Sequence, residues 1–172
     1  MKILVYGIQH SCTRLVCGLL DLNKNIKIIH LSNPSGNEKI KLNTIFERRK
    51  KNGHPIWDKI VIVTRDLNAI DHSNKNENFG INMLTFLKND LEEYIKKNTF
   101  DENNIVYLSI ESLFQHKKNI LKQTFKLLGV DDKNYPYDKT GNYNPKDLNG
   151  KDYWVSVNLD IKDCNKKYYK DL

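Results

Sequence analysis

A glycine followed by hydroxyl-bearing and cationic residues lies directly after the first apolar run of the chain, residues 3–6. The candidate residues of this segment are Gly7, Gln9, His10, Ser11, Cys12, Thr13 and Arg14. Backbone amides at a strand-to-helix turn can surround a phosphate, while hydroxyls add donors and an arginine adds positive charge. The segment therefore predicts an anion site. The alternative is a polar loop in which Ser11 or Thr13 only caps the helix.

The same segment is not a Walker A motif. That motif would place Gly at position 12 and Lys at position 13, where this chain has Cys12 and Thr13. A phosphate bound here would have to be held by the amides, the hydroxyls and Arg14 instead.

A second pair of candidate residues follows the third apolar run, residues 60–64. Arg65 comes directly after this run, Asp66 has the position of a helix N-cap, and Ser73 follows two helical turns later. Because residues seven or eight apart lie on one face of a helix, Arg65 and Ser73 could bind one anion together. The alternative is a surface ion pair for Arg65 and a solvated Ser73.

The elements that would position these residues are four short aliphatic runs, at 3–6, 26–31, 60–64 and 105–110. The runs are nearly continuous, which is typical of strands buried on both faces of a parallel sheet. Apolar residues at helical spacing follow the first run and flank the fourth, and Gly129 is placed to end the last helix. This order predicts a three-layer α/β/α fold with a central, mostly parallel sheet. In such a sheet, ligands bind beyond the carboxyl ends of the strands, where both candidate segments lie.

Composition predicts one domain. The chain has 172 residues, of which 39% are hydrophobic and 28% charged. We expect an α/β core over residues 1–130 and an irregular C-terminal cover over 131–172, with a short helix near 163–169. The net charge of +7 favours an anionic partner. Nucleic acid is disfavoured as that partner, because the strands lack the aromatic residues of an RNA-binding sheet.

The remaining sequence features indicate a cytoplasmic protein. No apolar run approaches the roughly 20 residues that span a membrane, and the first apolar run is too short for a signal peptide. The three cysteines, Cys12, Cys17 and Cys164, lack the C-x-x-C spacing of zinc or redox sites. We therefore expect reduced thiols, no bound metal and no membrane contact.

Both candidate segments resemble motifs of the PAPS-dependent sulfotransferase family, where PAPS is 3′-phosphoadenosine-5′-phosphosulfate. Gly7, Ser11 and Thr13 match the family's 5′-phosphosulfate loop, G-x-x-[KR]-[SG]-G-T. Arg65 and Ser73 have the spacing of its 3′-phosphate motif. The segment from residue 106 to Gly129 is similar to the family's strand ending in Y/E-x-L and its helix ending in F-L-G. The resemblance covers residues 1–130 in the family's order.

The resemblance implies a P-loop nucleoside-kinase-like fold and a sulfotransferase activity. The donor would be PAPS, the product 3′,5′-ADP, and the acceptor a hydroxyl or amine of a small molecule or saccharide, without a metal. A P-loop kinase or hydrolase and a non-catalytic nucleotide-binding module are the alternatives.

The chain departs from the family loop at two positions. His10 stands where the family has Lys or Arg, and Cys12 where it has Gly. The resemblance thus requires His10 to act as the cation near the leaving phosphate, or Arg14 to replace it. Two further histidines are candidates for the general base: His30, similar to the histidine of a family T-H-L stretch, and His54, in a basic segment before the third strand.

Overall fold

The computed structural model of the protein describes residues 1–9, 11–33, 39–74, 78–116, 118–133 and 135. Strands and helices alternate along these residues. The elements are β1 (Lys2–Ile8), α1 (Thr13–Asp21), β2 (Lys27–Asn33), α2 (Leu42–Lys51), β3 (Lys59–Thr64), α3 (Leu67–Asn74), α4 (Phe79–Asn98), a 3₁₀ turn (Glu102–Asn104), β4 (Ile105–Ser109), α5 (Ile110–His116) and α6 (Lys118–Leu128).

The strands form one parallel sheet in the order β2-β1-β3-β4. β1 is central, with Gly7 opposite Ser32 of β2 on one side and Val63 of β3 on the other. The predicted α/β class with a parallel sheet is confirmed. β1 and β2 each extend two residues beyond the predicted runs at their carboxyl ends, to Ile8 and Asn33.

Helices cover both faces of this sheet, which explains why the strands are continuously apolar. Ile3 and Val5 of β1 pack with buried residues of α1, α5 and α6. Leu4 and Tyr6 pack on the opposite face with buried residues of α2, α3 and α4. Full burial of one such aliphatic side chain contributes about 1.5–3 kcal/mol, so the two apolar layers hold the sheet between the helices.

Three local predictions differ from the structure. α2 lies between the second and third predicted strands, where apolar spacing predicted no helix, because only Leu42 and Asn43 of this helix are buried. Ile110 begins α5 instead of ending β4. The apolar residues at helical spacing after the first run are Leu15, Leu19, Leu20 and Leu22, but Leu22 is 36% exposed because the helix ends at Asp21.

The end of α6 follows the predicted glycine stop. Gly129 has a φ of +70°, its amide donates to the Lys126 carbonyl, and the Val130 amide donates to the Phe125 carbonyl. This pairing satisfies the last carbonyls of a helix when a residue adopts the left-handed conformation. Glycine adopts that conformation without steric cost.

Tyr135 fixes the last described part of the chain to the core, because its hydroxyl donates to the Leu19 carbonyl at 2.7 Å. The predicted helix at 163–169, most of the predicted cover and Cys164 lie outside the described residues. Cys17 is a buried free thiol, and burial raises its pKa to about 12. Among the described residues, no helix is both long and apolar enough to cross a membrane.

Candidate functional site

The two candidate segments lie at the switch point of the sheet, the place where consecutive connections run to opposite sides. From β1 the chain continues to β2 on one side, and β3 lies on the other side of β1. Ligands of doubly wound sheets bind in the crevice at such a switch point, beyond the carboxyl ends of the strands. Because Gly7 is paired with Val63, Gln9 and Arg65 leave neighbouring strands at the same level. Neighbouring strands are about 5 Å apart, so the two segments lie side by side at this switch point, which we call the crevice.

Gly7 is required by close packing. A Cβ at this position would lie 2.7 Å from Thr13 Cγ2, 2.8 Å from Ser11 Oγ and 3.1 Å from the Val63 carbonyl oxygen. The turn therefore folds back over the end of β1, and Thr13 and Ser11 occupy the space that a side chain would need. The glycine that the sequence placed at the start of the anion site is the residue that permits this turn.

Ser11 closes the turn from within. Its side chain is fully buried, its hydroxyl donates to the Ile8 carbonyl at 2.6 Å, and its amide donates to the same carbonyl at 3.1 Å. In this arrangement the hydroxyl proton that the sequence assigned to a phosphate is used inside the turn. Thr13 is 4% exposed, and its hydroxyl oxygen lies 3.0 Å from Nε2 of His30.

The N-terminus of α1 lacks the usual cap from the side chain of its N-cap residue. Cys12 is the N-cap residue, and its side chain makes no capping hydrogen bond. The capping role considered for Ser11 and Thr13 is therefore not observed. The first turn holds Arg14 and no acidic residue, although a cation is unfavourable at the positive end of a helix dipole. Backbone amides at a helix N-terminus attract anions, and Arg14 adds positive charge to this one.

α3 begins differently, because Asp66 caps it. The Asp66 carboxylate accepts a hydrogen bond from the Ala69 amide at 2.9 Å, which confirms the predicted N-cap. Arg65, half-buried, immediately precedes this cap, and Ser73 lies in the last turn of α3. At 1.5 Å per residue, Ser73 is about 9 Å along the helix from Leu67. Arg65 and Ser73 thus lie at opposite ends of α3, and both belong to the connection that leaves β3 at the crevice.

Of the three candidate histidines, the structure places only His30 of the described residues beside the turn. His30 lies in β2 beside the turn, where burial and the positive charge of Arg14 lower its pKa, so its imidazole is mainly neutral at pH 7. His54 is exposed and precedes β3, at the amino edge of the sheet. The six residues of β3 separate that edge from the turn by about 20 Å, and the structure does not bring His54 to the site. His10 lies outside the described residues.

Glu111, an acidic residue at this edge of the sheet, is not among the site residues predicted from the sequence. Its carboxylate accepts hydrogen bonds from the Asp66 amide and the Ser109 hydroxyl, each at 2.9 Å. The available signal was its position two residues beyond the end of β4. That position becomes informative only once β4 is known to lie beside β3.

The chain was compared with protein-family models, with the curated proteins and with the solved structures, and none of them matches it. Its function is therefore inferred from the chemistry of this crevice and from the motifs that border it.

Replacing Cys12 with glycine is expected to stabilise the protein by about 0.5–1 kcal/mol. Cys12 has a φ of 61°, in the left-handed region, which costs an L-residue about 1–2 kcal/mol. The greater unfolded-state freedom of glycine offsets about 0.5–1 kcal/mol of this gain. Urea unfolding measures the difference. Thr99, exposed and with a φ of 50° at the end of α4, gives the matched control Thr99→Gly. A loss of stability in Cys12→Gly alone would show that the Cys12 side chain outweighs its backbone strain.

Proposed function

We propose that this protein is a sulfotransferase that binds PAPS in the crevice between the ends of β1 and β3. The observation that carries the proposal is the first turn of α1, which has no cap from the side chain of its N-cap residue and holds Arg14, beside Arg65 at one edge of the sheet. PAPS carries anionic groups on both its 5′ and 3′ sides, and two separate cationic features suit such a ligand. The formal net charge of +7 supports an anionic ligand as well.

Each feature has a distinct role in this proposal. The amides of the first turn of α1, together with Arg14, bind the 5′-phosphosulfate. Arg65 and Ser73 bind the 3′-phosphate, and the planar guanidinium of Arg65 suits two parallel hydrogen bonds to phosphate oxygens. Fixed N–H groups and cations near the bridging oxygen stabilise the charge that develops there as the sulfuryl group leaves.

The transfer itself needs positioning and one proton acceptor. The acceptor oxygen or nitrogen forms a bond to sulfur as the bond between sulfur and the bridging phosphate oxygen breaks. The electron pair of the broken bond remains on 3′,5′-ADP, and the proton of the acceptor passes to a base. His30 is our candidate for this base, because its lowered pKa keeps the imidazole neutral and it lies beside Thr13.

The backbone of the turn supports the similarity to the family loop at one of the two divergent positions. Cys12 adopts the left-handed conformation that glycine, the residue of the family loop, adopts without steric cost. We propose on this basis that the turn acts as a P-loop-like phosphosulfate loop, in which Arg14 supplies the cation that the family places at position 10.

Thermal unfolding with nucleotides tests the proposed function. We expect 3′,5′-ADP at 100 times its Kd to add about 2.7 kcal/mol of stability and to raise Tm by about 5–10 °C. Adenosine, which lacks both phosphates, should leave Tm unchanged. With PAPS and a set of hydroxyl and amine acceptors, release of 3′,5′-ADP should depend on the acceptor. Stabilisation by ATP–Mg²⁺ without stabilisation by 3′,5′-ADP would instead indicate a kinase or hydrolase and overturn the proposal.

A further inference from the structure

The Glu111 side chain connects the carboxyl end of β4 to that of β3. It is half-buried in the first turn of α5, and its Oε1 accepts a hydrogen bond from the Asp66 amide at 2.9 Å. Asp66 is the residue that follows Arg65. The contact therefore crosses from one strand end to the next and reaches the backbone beside the proposed 3′-phosphate ligand.

Ser109 holds the other oxygen of this carboxylate. The Ser109 hydroxyl donates to Oε2 of Glu111 at 2.9 Å and accepts a hydrogen bond from the Ser112 amide at 3.2 Å. Both carboxylate oxygens thus have a donor, and Ser109 is itself fixed by α5. Glu111 is consequently held in one orientation from both sides, with its charge directed at the Asp66 amide.

The residues on either side of Arg65, Thr64 and Asp66, both contact the segment formed by β4 and α5. On one side, Thr64 pairs with Ser109 in the last register position of β3 and β4. On the other side, the Asp66 amide is bound by Glu111, and the Asp66 carboxylate caps α3. The direction in which the Arg65 side chain leaves the backbone therefore depends on where Glu111 holds Asp66.

We propose that Glu111 is a positioning residue for Arg65 and sets the preference of the site for a 3′-phosphorylated nucleotide. This inference rests on the proposed function of the crevice. Glu111 acts through the backbone of residues 65 and 66 and does not contact the ligand. If Glu111 had only a structural role, its removal would instead lower the stability of the fold. The affinity for all nucleotides would then fall alike, because the first turn of α1 binds the 5′-phosphate of each.

The test compares the affinities of the full-length protein for 3′,5′-ADP and 5′-AMP, measured by titration calorimetry. Glu111→Ala is expected to reduce the preference for 3′,5′-ADP about tenfold, the order expected when one charge-assisted hydrogen bond is misaligned. Its affinity for 5′-AMP should stay within about twofold of the wild type. Glu111→Gln should restore the preference, because the amide oxygen accepts from Asp66 and the amide nitrogen donates to Ser109.

Glu92→Ala is the matched control, because Glu92 is exposed on α4, outside β3, β4 and α5, and pairs with the exposed Lys88 at 3.9 Å. Should Glu111→Ala not fold, Ser109→Ala removes the donor to Oε2 and is expected to lower the preference in the same direction. An unchanged preference in the folded variant, or an equal loss of affinity for both nucleotides, would overturn the positioning role while leaving the proposed function intact. A wild-type protein that does not distinguish the two nucleotides would overturn the proposed function itself, and this inference with it.

Discussion

Replacing Arg65 with alanine is expected to lower the affinity for 3′,5′-ADP about 100-fold and to leave the affinity for 5′-AMP nearly unchanged. Arg65 follows β3 directly at the crevice and is half-buried, so water screens its charge less than that of a surface arginine. Each charge-assisted hydrogen bond contributes about 1.5–3 kcal/mol, and a guanidinium can form two to one phosphate. Titration calorimetry with the two nucleotides measures the effect.

Arg48→Ala is the matched control for this experiment. Arg48 is exposed in the last turn of α2, which leads toward the amino edge of the sheet, so the substitution removes the same charge far from the crevice. Its two affinities should both stay close to those of the wild type. An equal loss for both nucleotides in Arg65→Ala would show that Arg65 acts on the 5′ side or on the fold, and not on the 3′-phosphate.

Gly7→Ala is expected to weaken nucleotide binding at least about tenfold and to destabilise the protein by about 1–3 kcal/mol. The added methyl group would lie 2.7 Å from Thr13 Cγ2 and 2.8 Å from Ser11 Oγ, so the turn has to move away from β1. Both neighbouring side chains are short and buried, which leaves them little room to adjust. Urea unfolding and nucleotide titration, performed on the same variant, measure the two losses.

Gly53→Ala is the control that distinguishes damage to the site in Gly7→Ala from a general loss of stability. Gly53 has a φ of +65° with no atom within 4 Å of an added Cβ, so alanine there costs about 1 kcal/mol through the backbone alone. It precedes β3, at the edge of the sheet opposite the crevice. This variant should lose stability and keep its nucleotide affinity. If Gly7→Ala also kept its affinity, the turn after β1 would not be the phosphate site.

Much of the sheet was predictable from the sequence, because a strand covered on both faces needs an unbroken apolar run. The start of α3 and the end of α6 were also predictable, because each depends on a single residue at the end of the helix. Asp66 caps α3 with its own side chain, and Gly129 ends α6 in a left-handed conformation. Gly7 was predictable as the start of the turn. The reason for its being glycine, contact with Thr13 and Ser11, required the folded turn.

The parts that sequence could not predict depend on contacts between distant segments. α2 has few buried residues, so its helical period is weak, and Leu42 is held by Asp90 of α4, whose carboxylate accepts from the Leu42 amide. Glu111 becomes part of the site only because β4 lies beside β3. Serine is more often exposed than buried, and Ser11 is buried here because the turn after β1 is tight. In each case the local sequence favoured no particular structure or role, and a contact with a distant segment determined it.

The central position of β1 has a consequence for when the proposed site forms during folding. Gly7 and Val63, which border the crevice, are 56 residues apart along the chain. Closing a loop of this length costs entropy before the pairing compensates it, so non-local parallel strands assemble slowly. The crevice exists only when β3 has joined β1. The proposed binding of a doubly phosphorylated nucleotide therefore requires the completed sheet, and a folding intermediate that contains only β1, α1 and β2 would lack it.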